Sequence, residues 1–282
     1  MTMKISDKFR ANKKQKLDAD SAGVTVLGAS AKGGDKGLSK ADTKALDREA
    51  TQSLTEQLAV CQTMLYASQK QKVLLVLQGM DSSGKDGTIS AMFNAINPMG
   101  LRAVRFKAPT DIELAHDYLW RVHQQVPVKG EIAIFNRSHY EDVVVVKVQQ
   151  LIDQKECERR YAQIRDFERM LAETGTVIIK IFLHISKEEQ RERLQQRLDD
   201  PHKQWKFDPN DITQRKLWDE YQNAYEQAIR ETDADHAPWY VVPANSKTQR
   251  NLIVASLLLE TMESLKLSFP APDPNLTSFK VV

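Results

Sequence analysis

Residues 73–88 read VLLVLQGMDSSGKDGT, an unbroken apolar strand that runs straight into a turn bracketed by Gly79 and Gly84 and closed by Lys85. The G-x-x-x-x-G-K spacing restricts the local fold severely. It calls for a buried strand, a tight loop whose backbone N–H groups point inward, and a helix whose N-terminus adds a fixed positive field. Together these cradle phosphate, with Lys85 as the mobile charge above it. Two positions depart from the usual pattern. Asp86 follows the lysine where Ser or Thr ordinarily offers a hydroxyl to Mg²⁺, and the nearest hydroxyl is at Thr88. Asp81 puts a carboxylate inside the loop, which is tolerable where it holds a divalent cation against the phosphates. On spacing alone an ordinary strand–turn–helix competes with this reading, and the fully apolar strand ahead of the loop favours the cradle. Gly79, Ser82, Ser83, Gly84, Asp86, Gly87 and Thr88 are the candidate phosphate-binding positions, with Asp81 and Lys85 the candidate catalytic groups.

The 282 residues suffice for one large α/β domain with insertions. At 41% hydrophobic and 28% charged, the chain fits neither a disordered nor a membrane class. No apolar run approaches the roughly 18–20 residues of a spanning helix, and Met1–Leu17 is too basic and polar to read as a signal peptide. Cys61 and Cys157 lack metal spacing, so reduced thiols in a cytoplasmic protein are expected. Forty basic and 38 acidic residues leave a net charge of +2. A global polyanion-binding surface is therefore not indicated, no nucleic-acid or membrane partner is expected, and any basic channel must be local.

Residues 1–36 mix charge with Gly, Ala and Ser without a steady period and read as a flexible arm. Ser39-Lys-Ala-Asp42 caps a helix over Ser39–Gln71 that carries Leu46, Leu54, Leu58, Cys61 and Leu65 at helical spacing. Strands are expected near 73–78, 102–107, 131–136, 177–183 and 239–243, alternating with helices. That alternation predicts an α/β fold with a parallel sheet covered on both faces, and ligands bind at the carboxyl ends of such strands. The folded domain spans 37–268, with Thr248–Leu267 a terminal helix bearing Leu252, Ala255, Leu259 and Met262, and 269–282 an extended tail. Lys187–Leu198 and Asp211–Thr232 are two charged helical patterns joined by DDPHKQWKFDPN, which includes Trp205. They read as a helical hairpin over about 187–232, either a solvated surface pair or a lid over the phosphate loop. In the lid, Arg193 and Arg197 at i, i+4 would share its phosphate-facing side.

The third strand ends in Asn136-Arg137-Ser138-His139-Tyr140-Glu141-Asp142. Related sites place a metal-engaging Asp at such a strand end. Here Asn136 is neutral and Glu141 can restore the charge, while Arg137 suits bidentate grip on phosphate oxygens. Lys107, closing the second strand, and Arg121 would join Lys85, Arg137, Arg193 and Arg197 in a basic groove for a substrate with many phosphates in a row. Taken alone, Lys107 and Arg121 read more readily as surface cations. His116, His123, His139 and His184 show no metal pairing.

GMDSSGKDGT, FKAPT, HDYLWR, IFNRSHYEDV, FLHISKEEQRERLQQR, PHKQWKF and APWYVVPANSK, in this order, closely resemble the polyphosphate kinase 2 family from about residue 35 to residue 268. The resemblance implies a thymidylate-kinase-like P-loop fold, a three-layer α/β/α sandwich, that moves phosphate between inorganic polyphosphate and nucleotides with Mg²⁺ or Mn²⁺. It places Asp81, Lys85, Asn136, Arg137 and Glu141 in the catalytic site, with Asp81 and Glu141 holding metal and Arg193 and Arg197 in the lid. Many members carry Asp where this chain has Asn136, and the Asn136/Glu141 combination resembles the subgroup that accepts both AMP and ADP. Polyphosphate with AMP, ADP and ATP are then the expected partners, and the protein is expected to form a homo-oligomer, dimer or tetramer. The competing readings are transfer to ADP alone, an ATP-dependent nucleoside monophosphate kinase, and a non-catalytic P-loop module.

Overall fold

The structure is a computed structural model and describes residues 4–25, 39–94, 96–279 and 281. Five strands form one all-parallel sheet: β1 (Lys72–Gln78), β2 (Leu101–Arg105), β3 (Ile132–Asn136), β4 (Thr176–His184) and β5 (Trp239–Pro243). Their order is β2-β3-β1-β4-β5. β1 is central and every residue after Lys72 is buried, as a strand covered on both faces requires. Helices α1 (Lys40–Ser68), α2 (Lys85–Phe93) and α8 (Lys247–Ser264) pack together as one layer. Helices α3 (Glu141–Val148), α4 (Gln154–Glu173) and α7 (Trp218–Thr232) form the other. Two shorter-range helices, α5 (Lys187–Asp199) and α6 (Pro209–Lys216), lie between β4 and α7 in the chain. The expected α/β/α sandwich is the observed one, and each expected strand is found.

The expected cap of α1 is present in full. Ser39 Oγ accepts from Asp42 N and the Asp42 carboxylate accepts from Ser39 N, each at 3.1 Å. Its apolar stripe is buried only in the second half, at Leu58, Cys61 and Leu65, whereas Leu46 is exposed. Toward the N-terminus α1 meets α8 through polar groups instead, Gln249 Nε2 donating to Asp47 at 2.9 Å.

Three expectations change. Residues 4–25, read as part of a flexible arm, are folded against the β5 edge. Ala11 N donates to the Trp239 carbonyl at 2.9 Å, Arg10 pairs with Asp233 at 3.0 Å, and Phe9 and Leu17 are buried. The apolar residues are too sparse to show a period, yet Phe9, Ala11, Leu17 and Ala22 are buried, whereas Val24 is exposed. Residues 26–36 lie outside the described residues. The second charged pattern of the hairpin also divides. The chain leaves helical geometry at Leu217, and α7 then buries Trp218, Tyr221, Tyr225, Ala228 and Ile229, so it is a core helix and only 187–216 remains outside the core. Its apolar face is built of aromatics and alanines, which the surrounding charge obscured. Of the tail's described residues, 269–276, 279 and 281 are exposed, and Pro274–Ser278 form a short 3₁₀ turn rather than extended chain.

Candidate active site

The carboxyl ends of β1 and β3 are level, Leu77 pairing with Asn136, and Arg137 N donates to the Leu77 carbonyl at 3.1 Å. Past this line both strands turn through left-handed backbone: φ is 147° at Gly79, 65° at Ser82, 101° at Gly84 and 61° at Arg137. Glycine is required by space as well. A Cβ on Gly79 would lie 2.7 Å from the Leu183 carbonyl, whereas one on Gly84 would displace the Arg250 guanidinium, so there the backbone angle is the restriction. Helix α2 starts at Lys85 and α3 at Glu141, so two helix N-termini open at the same sheet edge.

Lys85 is buried and folds back on the loop, donating to the Gly79 carbonyl at 2.7 Å and the Met80 carbonyl at 3.3 Å. Burial, with Arg137 nearby, pulls its ammonium down to about 8, against the opposing carboxylates of Asp81, Glu141 and Asp86. Arg137 bridges two acids, pairing with Asp81 at 2.5 Å and Glu141 at 3.5 Å. Burial raises the Glu141 carboxyl above the ordinary range despite Arg137 and Lys85. Asn136 Nδ2 donates to Asp86 Oδ1 at 2.5 Å. Because a carboxylate only accepts, the amide must turn its NH₂ to Asp86.

Asp81, Arg137 and Glu141 line an open cleft with Gly79, Tyr221 and Tyr225 on the core side and Asp208, Asp211 and Arg215 opposite. Burial and the Asp81 charge lift Asp211 to about 6. Asp81 and Glu141 thus offer hard oxygen donors to one space, and the buried Ser82 and Ser83 hydroxyls have no hydrogen-bond partner among the described residues. Mg²⁺ and Mn²⁺ suit such a set, since Mg²⁺ commonly binds one or two carboxylates plus substrate phosphates. Among the described residues no three His, Cys, Asp or Glu converge as a protein cage. Thr88, the nearest hydroxyl by sequence, donates instead to the Gly84 carbonyl at 3.1 Å.

The proposed basic groove is not assembled as expected. Arg193 is buried and all five of its N–H donors are engaged: Glu189 at 2.7 Å, Ser82 and Ser83 carbonyls each at 2.9 Å, and Ala244 and Asn245 carbonyls at 2.6 and 3.0 Å. It clamps the loop through its carbonyls and has no donor left for phosphate here. Arg197 pairs with Asp211 at 3.3 Å. Arg121 is buried away from the cleft lining, donating to the Lys107 carbonyl at 2.8 Å and facing Asp142 at 3.5 Å, while the Lys107 residue is exposed. Two residues outside the expected set also reach the loop: Arg250 donates to the Ser83 carbonyl at 3.3 Å, and burial and Arg193 pull it down to about 10. The Gln190 amide donates to the Asp81 carbonyl at 3.0 Å. Gln190 sits one turn ahead of Arg193 on α5 and could have been found by spacing, but nothing local marks Arg250.

A family model described as Polyphosphate kinase 2 matches residues 40–270. An AMP/ADP-polyphosphate phosphotransferase of Meiothermus ruber is 57% identical over 225 residues, 80% of this chain and 84% of the relative. An ADP-polyphosphate phosphotransferase of Rhodopseudomonas palustris is 44% identical over 238 residues, 80% of this chain and 82% of the relative. The crystal structure of polyphosphate kinase 2 from Arthrobacter aurescens superposes with a TM-score of 0.86 at 39% identity, covering 99% of this chain and 94% of the other.

Proposed function

Because the chain belongs to the polyphosphate kinase 2 family, we propose that it transfers the terminal phosphoryl group of inorganic polyphosphate to AMP and ADP, reversibly. The observation that carries this reading is the single cleft in which Asp81, Arg137 and Glu141 meet beside the phosphate loop. Lys85 turns from the Gly79 and Met80 carbonyls to the transferring group, and Arg137 turns from the acids to phosphate oxygens. Asp81 and Glu141 would hold Mg²⁺ or Mn²⁺, which when bound neutralises phosphate charge. The acceptor oxygen is already ionised, so positioning and charge neutralisation carry the reaction and no general base is needed. Asn136, being neutral, leaves one charge fewer beside the acceptor, which supports use of both nucleotides. Transfer to ADP alone is the second reading, favoured by the name of the Rhodopseudomonas relative.

We place the reaction in the cytoplasm and in a homo-oligomer, without nucleic-acid or membrane partners; the near-neutral net charge supports the last point. No helix among the described residues is long and apolar enough to cross a membrane. The test is incubation with polyphosphate, Mg²⁺ and either AMP or ADP, with products separated by chromatography. ADP from AMP and ATP from ADP are expected. ATP from ADP with AMP untouched leaves the second reading, and turnover only with ATP as donor removes both.

A further inference from the structure

Behind the active-site loop lies a charged cluster that the phosphoryl chemistry does not use. Lys180 in β4 and Glu168 in α4 are both fully buried, and Lys180 Nζ meets Glu168 Oε2 at 2.6 Å. Lys180 gives its other two protons to the Tyr140 hydroxyl at 2.9 Å and the Thr232 carbonyl at 2.8 Å. Tyr140 donates to Glu168 Oε1 at 2.8 Å, and His139 Nε2 lies 3.2 Å from the same oxygen. Thr232 Oγ1 lies 3.0 Å from the Tyr140 hydroxyl and accepts from Trp239 Nε1 at 2.9 Å. The ammonium is therefore saturated, and one network ties β4, α4, the end of α7, the start of β5 and the loop after β3.

A buried ion pair is weak evidence for stability, because an apolar replacement of similar volume is often as stable. This one is placed where it fixes geometry. His139 and Tyr140 are two of the three residues between Arg137 and Glu141, and Arg137 already holds a left-handed φ of 61° that nothing glycine-like relieves. Anchoring both side chains on one carboxylate holds that kink and sets where the Arg137 and Glu141 side chains emerge. The same network holds the C-terminal end of α7, whose Tyr221 and Tyr225 line the cleft.

Resting on the proposed function for its kinetic readout, we propose that Glu168 and Lys180 are positioning residues, which through Tyr140 hold Arg137 and Glu141 at the angles phosphoryl transfer needs. The experiment uses the full chain, with Tyr140→Phe and the apolar double variant Glu168→Met/Lys180→Met. For each, kcat and KM with polyphosphate and nucleotide are measured beside Tm and amide hydrogen exchange of residues 137–141. The expected result is a kcat lowered about tenfold or more with KM changed less than about threefold, the scale at which small misplacement is felt. Residues 137–141 should exchange faster while the β1 and β4 amides do not. A lower Tm with unchanged kcat overturns the proposal, as does either change in kcat or exchange without the other. Tyr140→Phe alone decides if the double variant does not fold. A wild type without polyphosphate-dependent turnover would count against the proposed function instead, and the exchange pattern would then decide the network on its own.

Discussion

At the scale of single residues, two oddities in the sequence turn out to be one feature. Asp86 replaces the usual loop hydroxyl, Asn136 stands at a strand end that commonly carries Asp, and their side chains are hydrogen-bonded at 2.5 Å. With Asn136→Asp, two carboxylates would share that contact, and one would keep its proton well above the ordinary range. The variant should therefore lose kcat/KM relative to the wild type at pH about 8 and recover part of that loss toward about 6; the variant-to-wild-type ratio from matched pH profiles measures this, since a limb common to both cancels in it. Lys85 makes a second pH prediction. Its ammonium is held near 8, so kcat/KM, which reports the free enzyme, should fall on an alkaline limb around that value. Stability should move the other way. The folded state has released this proton above about 8 while the unfolded chain keeps it to about 10.4, so the unfolded state binds more protons and Lys85 adds stability as pH rises through that window. Lys85→Ala should remove the limb and lower kcat by about 10²–10³.

Among elements, α5 is the informative one. From spacing, Arg193 and Arg197 look equivalent, one turn apart on a charged helix. Packing separates them, because the loop after β1 and the residues after β5 converge under Arg193 and fill all its donors, while among the described residues Arg197 reaches Asp211 of α6 and the Lys206 carbonyl. Arg193→Ala should thus destabilise the fold by about 2–4 kcal/mol, since it strands buried carbonyls that each cost about 1–3 kcal/mol. Arg197→Ala should leave stability within about 1 kcal/mol, as for partly exposed pairs. Urea unfolding of the two variants checks the contrast, and equal losses would mean the clamp is not there.

For the whole molecule, the N-terminal residues complete the sheet. Residues 10 and 11 bridge β5 and cover its open backbone, and Phe9 and Leu17 bury side chains beside it. Two such side chains are worth about 1.5–3 kcal/mol each. Removing residues 1–25 should lower Tm by about 6 °C or more and, by baring a strand edge, promote self-association. Scanning calorimetry with light scattering reads both, and an unchanged Tm would return these residues to the status of an appendage.

What the sequence determined by itself is everything that local chemistry controls. The loop from Gly79 to Lys85 was legible because its glycines answer to backbone angle and its strand to continuous burial. The five strands and the Ser39 cap were legible for the same reason, since period and capping act within a few residues. Arg137 and Glu141 were legible because a strand end points them at the same edge as the loop. The tertiary structure alone decided which charges are spent inside the protein. Arg193 and Arg250 on the outer side of the loop, Asn136 on Asp86, and Lys180 on Glu168 each meet a partner at least 12 residues away. A charged side chain looks the same in a sequence whether it faces a phosphate or a carbonyl, and only burial and the count of its filled donors tell the two apart.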